Sequence, residues 1–234
     1  MRRFLSGKNL FHGLQLALVA TLVTVLHMAY EYLVVRPEFV RAHLGAASIT
    51  PRFALDLLGV FVALFISATA GFAWAKGRGL VGFGSWRRLK HDLPVILLIG
   101  AALAALTFLL LEPALYKPLL ASKRNPFQPL FVGAFEEVIC RWGIFAIAFR
   151  LSGRIWVSVL TSALFNVLLA VNALVKLLPH METEVAAWQL VAIIVVKFAL
   201  ALGYALFYVR KGLLSMMALR FVAALPTPVL AAFG

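Results

Sequence analysis

Seven stretches of this chain, residues 13–30, 57–75, 93–111, 131–149, 155–175, 185–209 and 212–234, each approach the run of about twenty apolar residues that crosses the hydrocarbon of a bilayer. Lipid offers no water to satisfy a backbone, so only helices and closed barrels span it. Barrel strands alternate apolar and polar residues over about ten positions, whereas these stretches do not alternate and are roughly twice as long. The sequence therefore predicts an all-α fold, a polytopic membrane helix bundle of about seven transmembrane helices.

Composition removes the soluble alternative. Hydrophobic residues make up 63% of the chain and charged residues 13%, against roughly 25% charged in an ordinary soluble domain. The lipid bilayer is thus the first expected partner. The first run follows Met1-Arg2-Arg3 and has the start of a signal peptide, yet it is long, ends in His27, Tyr30 and Glu31, and lacks a small-x-small cleavage pattern, so it is read as retained. Without a Pro/Ser-rich linker, low-complexity tract or internal repeat, residues 1–234 read as a single membrane domain. The sizeable polar connections are 36–52, 76–91 and 115–129; Tyr116 to Gln128, with Pro118 and Pro126, leads into the fourth run.

The net charge is +13, from 22 Lys and Arg against 9 Asp and Glu. These cations cluster at helix ends, where they snorkel to headgroups, which argues against nucleic acid as a partner. With the N-terminus inside, twelve of them fall on the cytoplasmic side and seven opposite, so the positive-inside bias predicts N-in. Alanine-rich, lysine-poor usage is compatible with a bacterial inner membrane. The single cysteine, Cys140, excludes an internal disulfide and, with no histidine base beside it, reads as a small hydrophobe. Trp86 and Trp188 near helix ends fit interfacial anchoring.

Chemistry is concentrated in the fourth run, which carries Glu136-Glu137-Val138-Ile139-Cys140-Arg141. Ionisable groups at that depth cost several kcal/mol, about 2.5–3.5 each on insertion scales, unless partnered. The groups expected at depth are Glu136, Glu137, Arg141, Lys197 and Arg220, with Glu31 and Glu112 near helix ends. Two acids and three bases should converge on the bundle interior and pair. Glu137 and Arg141 stand at i, i+4 with the acid first, the favourable order for an ion pair. Glu136 is turned about 100° from Glu137 and is left for another partner. Ser162, Asn166 and Asn172 are candidates to line the same cavity, or else interhelical hydrogen-bonding groups.

Glu-Glu-x-x-x-Arg in a hydrophobic helix, preceded by Val132-Gly133-Ala134-Phe135, resembles the signature of the CPBP family, the CAAX prenyl proteases and bacteriocin-processing-like membrane proteases. The resemblance extends over residues 128–225: Ser162-Ala163-Leu164-Phe165 is similar to the segment ending in the family's Phe-x-x-x-His, and Gly203-Tyr204 through Gly212-Leu213-Leu214 is similar to the lead-in to its final His-x-x-x-Asn. It implies an intramembrane endopeptidase in which Glu136 polarises a water with help from a histidine, Glu137 and Arg141 fill the rest of the first motif, and a His/Asn pair steadies the oxyanion. This chain departs from that pattern, with Leu169 at the first histidine position, Arg220 at or next to the second and Ala224 at the asparagine. His12, His27, His43, His91 and His180 lie in other helices or in loops. Two carboxylates without an imidazole fall short of the three protein ligands a catalytic metal needs, so no metal and no cofactor are expected.

The replacements have their own logic. A guanidinium at 220 forms bidentate pairs with carboxylates, and a clamped glutamate is a poor general base. Lys197, halfway through its run, is expected to take the remaining carboxylate, giving an ionic lock between helices four, six and seven. Three functions follow: a protease-type membrane protein whose site now binds or scaffolds a membrane partner or a lipidated or hydrophobic ligand; a still-active endopeptidase using Glu136 and Glu137 with Arg220, Asn166 or Asn172 in support; or a small transporter or channel component, which the absence of inverted repeats disfavours.

Overall fold

A computed structural model describes residues 6–30, 37–75, 80–106, 125–177 and 186–225, with side chains omitted at 37–54, 173–174 and 176–177. Glu31, Glu112, His180, residues 226–234 and most of the connection from Tyr116 to Gln128 lie outside the described residues. The rest forms seven helices: α1 (Gly7–Tyr30), α2 (Pro37–Trp74), α3 (Trp86–Leu106), α4 (128–152), α5 (Ile155–Leu177), α6 (Ala187–Lys211) and α7 (Leu213–Ala224). Five contain a segment long and apolar enough to cross a membrane: α1, Leu55–Trp74 of α2, α3, Ile155–Asn172 of α5, and α6. The protein is a helical membrane bundle and an integral membrane protein by that measure.

The polar connection expected at 36–52 is instead helical, because α2 starts at Pro37. Proline is well placed in a first turn, and Glu38, Arg41, Ala42, Leu44, Ala46 and Ala47 are strong helix formers whatever their polarity. Polarity by itself does not end a helix.

The axis of the bundle is α4. Its residues 132–134, 137–143, 145–146 and 148–149 are all buried, with α1, α2, α5 and α7 packed around it. It is also the irregular helix: one α-turn (Gln128–Phe131) leads into π-wound segments at Val132–Glu136 and Val138–Ile144, then α-geometry resumes at Phe145–Ser152. Within the second π segment the Phe145 N–H donates to the Cys140 carbonyl five residues back, and Ser162 of α5 donates to the same oxygen at 2.9 Å. Hydroxyls of neighbouring helices satisfying displaced carbonyls are how such irregularity survives in lipid. On the other side α2 approaches closely through Ser67-Ala68-Thr69-Ala70-Gly71. The Trp142 indole N–H reaches the Ala68 carbonyl at 3.1 Å, and Gly143 leaves so little room that a Cβ there would lie 2.8 Å from the Ser67 Cα.

A tight elbow at Gly212 separates α6 from α7. Its φ of +88° is a left-handed value that ends α6, and its N–H closes the helix on the Tyr208 carbonyl at 2.8 Å. The first two amides of α7 would otherwise be orphans; Leu213 and Leu214 donate instead to the carbonyls of Gly82 and Phe83, at 3.0 and 2.9 Å. With 12 residues, α7 rises roughly 18 Å, short of the roughly 30 Å of hydrocarbon. It dips into the bundle between α3, α4 and α6 and carries Arg220 to the interior. A Cβ on Gly212 would sit 2.9 Å from both the Gly82 oxygen and Val81 Cγ1. Gly212→Ala is therefore expected to cost about 2–3 kcal/mol, from the left-handed backbone and the crowding together; an unfolding midpoint in detergent equal to wild type would refute it.

Candidate functional site

Four charged side chains meet where α4 and α7 cross. Arg141 Nη1 lies 3.3 Å from Glu137 Oε1, the expected i, i+4 pair, and both side chains are 0% exposed. Arg220 then reaches in from α7: its Nε stands 3.1 Å from the same Glu137 oxygen, and its Nη2 is paired with Glu136 Oε2. One guanidinium thus spans both glutamates. On a regular α-helix adjacent side chains diverge by about 100°. Winding α4 to an i→i+5 ladder puts more residues in each turn and narrows that angle, which lets a single planar fork serve two neighbours.

The four form a neutral set, two carboxylates and two guanidiniums. Their inner part is dry and their outer part is partly open, Glu136 being 26% and Arg220 13% exposed. Not every polar atom is satisfied. Glu137 Oε2, Arg141 Nε and Arg141 Nη2 have no hydrogen-bond partner among the described residues, and Arg220 Nε is within ion-pair distance of Glu137 but off the hydrogen-bonding direction. Tyr204 of α6 completes the enclosure, its ring centre 4.6 Å from Arg220 Cζ and 5.9 Å from Arg141 Cζ. A ring face at that range attracts both cations.

Other predicted residues fall around this core unequally. Lys197 acts on Glu136 electrostatically, and Arg220 is the cation in ion-pair range of both carboxylates. Ser162 and Asn166 are buried and turned to α4, Ser162 on the Cys140 carbonyl and Asn166 Nδ2 at 3.7 Å from Cys140 Sγ. They brace the back of the π-wound segment. Asn172 is exposed: six residues beyond Asn166, about 240° of rotation, carry it to the far side of α5. Leu169 packs partly buried against the core.

Three groups escaped the sequence reading. Tyr204 stands two turns after Lys197 on one face of α6, a spacing that could have flagged it. His27, set aside as belonging to another helix, comes within electrostatic range of Glu136. Its ring stacks on Phe131 at 4.3 Å, and Phe131 on Phe135 at 4.9 Å. The buried Asn125 donates from Nδ2 to His27 Nδ1 at 3.0 Å and to the His27 carbonyl at 2.9 Å, while its Oδ1 accepts from the Phe127 N–H at 2.9 Å. This assignment leaves the His27 proton on Nε2. No local pattern connects residue 27 with residue 136. The third is Asp92 of α3, buried and held by Lys211 Nζ at 2.7 Å and by the Ser215 hydroxyl at 3.4 Å; it ties α3 to the Gly212 elbow.

Among the described residues no group of three His, Cys, Asp or Glu side chains is placed to hold a metal ion. A scan against family models and searches of curated proteins and solved structures found no match to this chain.

Proposed function

We propose that the chain is a CPBP-type membrane protein whose intramembrane Glu-Glu/Arg site binds or scaffolds a membrane partner or a lipidated or hydrophobic ligand, with peptide hydrolysis lost or altered. The observation that supports this most is Arg220 spanning Glu136 and Glu137. A carboxylate whose lone pairs are engaged by a fixed cation cannot readily take a proton from water, and Arg220 stands at or next to the position where the family pattern has its second histidine. The cation distribution supports an N-terminus in the cytoplasm, and the composition a bacterial inner membrane.

A second reading, an active glutamate-dependent endopeptidase, is favoured by one specific feature: Glu136 is the more open of the two acids and has the imidazole of His27 in electrostatic range. The two readings separate in one assay. Purified protein in lipid nanodiscs is given a quenched fluorogenic peptide ending in a farnesylated cysteine, and wild type is compared with Glu136→Gln. The expected result is cleavage no faster with wild type than with the variant, together with saturable binding of the peptide to both. Cleavage abolished by Glu136→Gln would establish the endopeptidase instead.

A further inference from the structure

A strongly basic corner lies at the opposite end of α3 from the loop that follows it, away from the acid–guanidinium cluster. Trp86, Arg87, Arg88 and Lys90 occupy the first two turns of α3 and Arg210 the last turn of α6; all five are exposed. Arg88 Nη2 donates to the Arg210 carbonyl at 3.5 Å, so cations from two helices converge although 122 residues of chain separate these two. The nearby acid does not offset them, since Asp92 is buried and already bound by Lys211 and Ser215. No acidic residue occupies the first turn of α3, and cations there also face the positive end of the helix dipole. The corner thus concentrates like charge where, among the described residues, the nearby acid is already bound within the fold.

We propose that this corner binds the phosphate of an anionic phospholipid. Arg87, Arg88 and Lys90 would contact the phosphate, Arg210 would flank it, and Trp86 would sit at headgroup depth as amphipathic rings do. The helix end is not itself the site: the Arg88 amide is taken by the Ser85 hydroxyl at 3.3 Å, so the side chains do the binding. Lipid is favoured over a free anion by position. Leu93, Leu97 and Leu98 are exposed on α3 within three turns of the cations and continue the surface for acyl chains, and guanidinium groups pair bidentately with phosphate.

The test is titration of the delipidated full-length protein with phosphatidylglycerol or with phosphatidylcholine of the same acyl chains, read by native mass spectrometry. Wild type is expected to prefer phosphatidylglycerol. The triple variant Arg87→Gln/Arg88→Gln/Lys90→Gln is expected to lose on the order of a hundredfold in affinity for it, about fivefold per cation. The control Arg150→Gln/Arg154→Gln, at exposed cations of the α4–α5 junction, is expected to bind as wild type does. Unchanged binding by the triple variant, or equal loss in the control, would overturn the proposal, the second by showing that net charge alone is responsible. Inorganic phosphate competing as well as the lipid does would overturn it in favour of a soluble anion.

Discussion

Arg220→Ala is expected to destabilise the detergent-solubilised protein by about 3–5 kcal/mol, the usual cost of removing one partner from a buried ion pair. Without that guanidinium Glu136 loses its ion pair across the helix crossing, and Glu137 keeps Arg141. The loss is expected to exceed what lost contacts explain, because Glu136 loses its paired cation in a low-dielectric interior. Adding Glu136→Gln to Arg220→Ala is therefore expected to restore part of the stability, a sign that simple cavity formation does not produce. Thermal unfolding of the three proteins measures it. An Arg220→Ala protein as stable as wild type would show that the guanidinium does not lock α7 to α4.

Gly71→Ala is the second large effect, about 2–4 kcal/mol, and its origin is steric. The added methyl would lie 2.2 Å from the Trp142 indole ring, which is fully buried and meets Phe72, Phe83 and Tyr208 edge-on. The ring must move, losing both its fit and the hydrogen bond to the Ala68 carbonyl. Gly59→Ala, in the same helix with nothing within 4 Å of its new methyl, is expected to stay within about 1 kcal/mol of wild type. Equal stability of the two variants, or an unshifted tryptophan emission in Gly71→Ala, would contradict this account of how α2 and α4 meet.

The two variants probe different kinds of information. The helices were readable because apolar length is a local property: roughly twenty lipid-compatible residues form a helix whatever surrounds them. The Glu137–Arg141 pair was readable for the same reason, as both ends lie on one turn. Missed features depend on neighbours. Nothing around residues 132–144 announces π winding, which is sustained by Ser162 on another helix and by the crowded contact with Ser67 and Gly71. Asp92 is joined to Lys211 and Ser215 by the elbow, more than a hundred residues further along the chain.

From its sequence alone the chain was bound to be a helical membrane bundle with acids and bases it could not leave in lipid, since the cost of a bare charge there admits few other outcomes. Which charges meet was decided by the tertiary structure. The left-handed turn at Gly212 ends α6 and sets where α7 begins. The wider winding of α4 narrows the angle between adjacent side chains. Arg220 consequently reaches both glutamates, because pairing depends on the crossing of helices and not on the order of residues.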